Sequence, residues 1–141
     1  MPGRAQDLVL LDSADMSLRK INLRTQKVLF EVRVSATSGS RYTSIREYQS
    51  FIFLLDEARG IYIYNSVGVL VRKIDAAGLR QFNFLGEELY YLQNGMLHFF
   101  DLFTAETRTL PLPAPADWVI LTDEYLMLAH GKRISIHPVE R

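Results

Sequence analysis

Apolar residues in this chain come in short unbroken blocks: Leu8-Val9-Leu10-Leu11, Phe51-Ile52-Phe53-Leu54-Leu55, Leu89-Tyr90-Tyr91-Leu92 and Tyr125-Leu126-Met127-Leu128. A strand that is apolar at every position is covered on both faces. The segments that follow alternate instead. In Ile61-Tyr62-Ile63-Tyr64 and Arg133-Ile134-Ser135-Ile136 one face is more polar, which predicts strands nearer a rim. No window carries apolar residues at i, i+3, i+4 and i+7 over a helix-length stretch, so helices are not expected. Turn residues divide the blocks at Ser13-Ala14-Asp15, Ala58-Arg59-Gly60, Ser66-Val67-Gly68, Asn94-Gly95 and His130-Gly131-Lys132. Asn-Gly is the sharpest of these, because both residues tolerate the positive φ of a tight hairpin.

The blocks recur at a fixed interval. Lys20-Ile21-Asn22, Ile63-Tyr64-Asn65, Phe99-Phe100-Asp101 and Ser135-Ile136-His137 align, with their middle residues at 21, 64, 100 and 136. The last two intervals are 36 residues, and the first is 43. The loop-like stretch from Ser35 to Arg41 accounts for the difference. Within the second repeat the pattern predicts strands over Thr43–Tyr48, Phe51–Asp56, Ile61–Asn65 and Val69–Ile74. Within the third it predicts Arg80–Leu85, Glu88–Gln93, Met96–Leu102 and Thr107–Pro113. These four positions are labelled a, b, c and d. Short connections make each repeat an antiparallel meander, and four short strands per unit is the blade pattern of a propeller. A β-sandwich or small barrel is the alternative.

The expected fold is therefore all-β, a propeller-like array of about 3.5–4 four-stranded antiparallel blades. The blades fall near 7–34, 42–75, 79–113 and 116–138, after a disordered or tag-like segment over 1–6. Asp56-Glu57-Ala58-Arg59-Gly60-Ile61-Tyr62-Ile63-Tyr64-Asn65-Ser66-Val67-Gly68-Val69-Leu70 resembles the blades of six-bladed, NHL-like propellers. Ile21-Asn22-Leu23-Arg24-Thr25-Gln26-Lys27-Val28 resembles the turn of quinoprotein-like repeats, with Gln26 where a Gly is usual. The resemblance implies a propeller; it carries no catalytic residues across.

The first repeat supplies b, c and d, and the last supplies a, b and c. Closed propellers have about 4–8 blades. A compact ring, an open arc or half-propeller that pairs with a second copy, and a piece of a longer chain are the three outcomes, with the last two favoured. An open arc exposes flat apolar faces that drive association. The expected partner is accordingly a protein, or a second copy in a homodimer that closes the open blade ends.

Composition adds limits. Lys and Arg number 16, as do Asp and Glu, so no nucleic-acid partner is expected. The absence of cysteine removes disulfides and thiolate metal sites. The longest apolar runs are too short for a membrane span. Ala5-Gln6-Asp7 reads as the start of a chain after a removed export signal, which favours a periplasmic or secreted location. No cofactor is expected. His98, His130 and His137 share no ligand spacing, Asp12-x-x-Asp15 lacks the rest of a calcium loop, and no nucleophile or phosphate-binding motif occurs. Asp56 and Glu57 read as turn carboxylates.

The resemblance to propellers implies that loops before strand a and loops between b and c converge around a channel mouth. Arg41, Tyr42, Arg80 and Trp118 occupy the first set; Arg59 and His130 occupy the second. These six are the candidate binding residues, because loops on a rigid scaffold carry recognition. The expected function is a non-enzymatic protein-binding or scaffold module. Alternatives are a ligand- or glycan-binding propeller, or propeller enzyme, using the channel mouth, and a structural fragment of a larger propeller.

Overall fold

The computed structural model describes residues 7–12, 16–34 and 41–139. Segment 1–6, the turn at 13–15 and residues 35–40 of the insertion lie outside them. The described residues form strands and turns, with no helix. Four antiparallel meander sheets follow one another along the chain. The first contains β1 (Asp7–Asp12), β2 (Ser17–Asn22) and β3 (Lys27–Arg33). The second contains β4 (Tyr42–Tyr48), β5 (Phe51–Asp56), β6 (Gly60–Tyr64) and β7 (Leu70–Asp75). The third contains β8 (Asn83–Leu85), β9 (Glu88–Gln93), β10 (Met96–Asp101) and β11 (Thr107–Pro111). The fourth contains β12 (Trp118–Leu121), β13 (Tyr125–His130) and β14 (Arg133–Pro138). The sheets have three, four, four and three strands, as the repeat predicts.

Two expectations are corrected. Strand a of the third repeat was expected from Arg80 but begins at Asn83. The stretch before it is held elsewhere: Gly78 donates its N–H to the Glu57 carbonyl at 2.7 Å, and Leu79 and Phe82 are buried outside any ladder. Strand β6 has no polar rim face; all five of its residues are buried. Tyr62 and Tyr64 are amphipathic enough to enter the core with their ring bodies. Burial, with Tyr42 and Tyr62 nearby, pushes the Tyr64 hydroxyl up to about 12, so it stays neutral. Strand β14 does alternate, but with the faces reversed: Ser135 and His137 are half-buried, whereas Ile134 and Ile136 are exposed.

The chain forms two compact units, 1–80 and 81–141. In the first, Leu18 and Val34 pack with Ile52, Leu54, Tyr62 and Tyr64, joining the first sheet to the second. Lys20 reinforces that junction through Glu47 at 2.8 Å. Gly60 opens β6 at φ 130°, where a Cβ would collide with the Ile74 carbonyl, so only glycine fits. In the second unit, Tyr90, Leu97 and Phe99 of the third sheet pack with Val119, Leu121, Leu126 and Leu128 of the fourth. The Tyr90 hydroxyl accepts from the Leu121 N–H at 2.8 Å and reaches its carbonyl at 3.4 Å, a polar pin through an apolar junction.

Candidate interaction surface

Strand pairing sorts the fourth sheet into two faces, because directly opposed residues point the same way. Val119 opposes Leu128, which opposes Ser135; Leu121 opposes Leu126, which opposes His137. That face carries the core shared with the third sheet. On the other face Trp118 opposes Ala129 and then Ile134, Ile120 opposes Met127 and then Ile136, and Tyr125 opposes Pro138. None of these side chains is charged. Ile134, Ile136 and Tyr125 are 67%, 57% and 49% exposed. Trp118, Ile120, Met127 and Ala129 are half-buried. A contiguous uncharged face of this kind is the type of surface through which proteins associate. Trp118 opens it and takes no part in the core cluster behind.

The loop candidates fall into two local groups. In the first unit Arg41, Tyr42 and Arg59 gather at Asp56. The Asp56 Oδ1 accepts the Arg41 N–H at 2.9 Å and the Ala58 N–H at 3.0 Å, so one carboxylate ties the start of β4 to the β5–β6 turn. Its Oδ2 is buried without a hydrogen bond, and the nearest cation is Arg59 Nη1 at 3.9 Å. A bulge at Tyr42–Ser44 ends the regular ladder there and re-aims Tyr42, whose ring lies 6.3 Å from that of Tyr62. In the second unit Trp118 and His130 flank Asp117. The Asp117 carboxylate accepts the Gly131 N–H at 3.0 Å and lies 3.5 Å from His130 Nδ1. The Gly131 bond, helped by His130, holds the Asp117 carboxyl below its ordinary value.

Both groups join the entry to strand a with the b–c turn, through carboxylates from different places in the repeat. Asp56 ends a strand b, whereas Asp117 precedes a strand a. Arg80 belongs to neither group; it is exposed, with no hydrogen bond or ion pair among the described residues. His98 stacks flat on Tyr91 at 5.0 Å and meets the Gln93 carbonyl, and His137 meets the Ser135 hydroxyl. Among the described residues no three His, Asp or Glu side chains gather as a metal ion requires.

Sequence reasoning singled out Trp118 but missed Ile120, Met127, Ile134 and Ile136. The signal was present in the parity of β14. Deciding which parity faces outward required the register against β13.

No protein-family model matches the sequence, and no curated protein matches it. Solved structures do. Hsv2 of Kluyveromyces lactis matches over 98% of this chain and 46% of its own, with a TM-score of 0.71 and 15% identity. The computationally designed protein Ika8 matches over 95% of this chain and 43% of its own, with a TM-score of 0.65 and 10% identity. The N-terminal domain of Nup159 matches over 94% and 41%, with a TM-score of 0.60 and 10% identity. The chain thus spans under half the length of each. These neighbours are β-propellers, and the fold here is of the β-propeller type. Among the described residues no helix is long and apolar enough to cross a membrane.

Proposed function

We propose that this chain is a non-enzymatic protein-binding or scaffold module of the β-propeller type, and that the free face of its fourth sheet docks a second copy of the chain. The observation that carries the reading is the uncharged row Trp118, Ile120, Met127, Ile134 and Ile136 across β12, β13 and β14. The buried face of the same sheet supports it, since the same residue types there pack onto the third sheet. Covering an exposed isoleucine contributes roughly 1.5–3 kcal/mol, enough for several together to outweigh the cost of association. Trp118 is the proposed aromatic anchor. Arg41, Tyr42, Arg59, Arg80 and His130 are proposed as polar loop contacts for a protein partner.

Sedimentation of the whole chain tests this. The expected result is a dimer at about 100 µM that Met127→Lys converts to a monomer with an unchanged circular dichroism spectrum. A wild-type chain that stays monomeric at that concentration overturns the reading.

A further inference from the structure

The b–c turn of the third sheet is the two-residue loop Asn94-Gly95, which folds β10 back on β9 with Met96 opposite Gln93. Both loop residues have positive φ, 56° and 74°, as a tight hairpin turn requires. Both are exposed. The chain has four asparagines, and the other three are held differently. The Asn22 side-chain oxygen accepts the Arg24 and Thr25 N–H groups at 3.1 and 2.9 Å, and its amide nitrogen donates to Asp7 at 3.1 Å. The Asn65 oxygen accepts the Val67 and Val69 N–H groups at 3.0 and 2.9 Å. Asn83 is half-buried in β8 and is followed by Phe84. Among the described residues the Asn94 amide has no hydrogen-bond partner, and neither has the Gly95 N–H.

An asparagine carboxamide reacts with the nitrogen of the following peptide group when two conditions are met. The carboxamide must be free to rotate onto that nitrogen, and the following residue must leave room. At Asn22 and Asn65 the oxygen is fixed on other N–H groups, and Leu23 and Ser66 carry a Cβ beside the attacking nitrogen. At Asn94 no hydrogen bond fixes the carboxamide, and Gly95 has no Cβ. Open space extends at least 4 Å from where a Gly95 Cβ would lie, so water reaches the site. The left-handed turn keeps the Gly95 nitrogen away from the Asn94 side chain, and ring closure follows when the turn opens. Opening at an exposed loop tip breaks few contacts, so it lies at the low end of local unfolding free energies.

We propose that Asn94 is a self-modification site, at which the unmodified turn is converted to aspartate and isoaspartate as the chain ages. The Gly95 backbone nitrogen bonds to Asn94 Cγ and gives up its proton. The Cγ–Nδ2 bond breaks, and Nδ2 leaves with that proton as ammonia. The resulting five-membered succinimide takes up one water. Water entering at Cγ breaks its bond to the Gly95 nitrogen and gives aspartate. Water entering at the main-chain carbonyl gives isoaspartate, whose chain runs on through Cγ. Nothing is oxidised or reduced; water enters and ammonia leaves. Either product places a carboxylate on a turn equivalent to those that carry Arg59 and His130. Isoaspartate also adds a methylene to the main chain of a two-residue loop. That loop sets the register that presents Tyr90, Leu97 and Phe99 to the fourth sheet. The modification therefore ties the age of the chain to the stability of its second unit. The site is distinct from the free face of the fourth sheet, and it stands whether or not that face docks a second copy.

The test incubates the whole folded chain in warm, mildly alkaline buffer made with oxygen-18 water, and follows each asparagine by peptide mapping and mass spectrometry. Asn94 is expected to lose its side-chain nitrogen, take up one oxygen-18 atom and appear as both aspartate and isoaspartate. Its conversion is expected to run at least about tenfold faster than that of Asn22, Asn65 or Asn83. Gly95→Ala is expected to slow it at least about tenfold, by crowding the attacking nitrogen. Alanine is strained at a φ of 74°, so Asn94→Gln supplies a second check. Its longer carboxamide would have to close a six-membered ring, and conversion at position 94 is expected to stop with the dichroism spectrum unchanged. The aged wild-type chain is expected to show a lower urea midpoint than the fresh one, whereas the Asn94→Gln chain keeps its midpoint through the same incubation. No conversion at Asn94, or conversion no faster than at Asn22 and Asn65, overturns the proposal. So does an aged wild-type midpoint that falls no further than that of the Asn94→Gln chain.

Discussion

At the scale of single residues, two carboxylates join the entry to a strand a with a b–c turn. Asp56 shows this best, since its side chain is fully buried and yet accepts two backbone N–H bonds. Removing this acceptor leaves two part-buried donors without their partner, which costs up to about 1–3 kcal/mol for each group left unmet. Asp56→Ala is therefore expected to destabilise the protein by about 2–4 kcal/mol, read as a lower urea midpoint. Asp56→Asn keeps the Oδ1 acceptor and is expected to cost less than Asp56→Ala. A neutral Asp56→Ala would show that water replaces the carboxylate. The turn role of Asp56 was legible in the sequence, because an Asp at a strand end before Ala58-Arg59-Gly60 is a turn signal. Its bond to Arg41 was not legible, since that partner lies 15 residues away along the chain.

At the scale of elements, the repeat was readable because every strand keeps a characteristic pattern and the turns between them are short. Strands β5 and β9 begin and end where the pattern places them, at Phe51–Asp56 and Glu88–Gln93. β8 was misread at its start. Arg80-Gln81-Phe82 has the composition of a strand, but Gly78 is bonded to Glu57 and the chain turns before the ladder begins. β6 was misread in its burial, because tyrosine counts as rim-like in a pattern and as core once its ring is covered. The junction of the third and fourth sheets supplies a test at this scale. Tyr90→Phe leaves the packing intact but deprives the Leu121 N–H of its acceptor. It is expected to cost about 1–3 kcal/mol, whereas loss of a mere surface hydroxyl would cost almost nothing. Thermal unfolding of the variant decides between them.

At the scale of the whole molecule, acid sensitivity follows from two carboxylates tied to backbone donors. Asp101 is held below its ordinary value by the Thr104 and Phe103 N–H groups, and Asp117 by Gly131 and then His130. A carboxyl depressed in the folded state contributes stability above its unfolded value near 3.9, which is lost as pH falls through the folded one. Urea stability is expected to hold between about pH 5 and 7 and to fall below about pH 4. The double variant Asp101→Asn, Asp117→Asn is expected to flatten that acid limb; an unchanged limb would assign it to other groups. What the sequence by itself determined is the strand content, the 36-residue interval and the grouping of strands into three, four, four and three, because these depend on local alternation and turn chemistry. Tertiary structure decided which parity of β14 is exposed, and which face of the fourth sheet packs on the third. Those features arise from register between strands and packing between sheets. A one-residue slip in register would exchange the two faces of a strand, and no local pattern forbids it. The uncharged row from Trp118 to Ile136 is therefore composed by the sequence and placed by the fold.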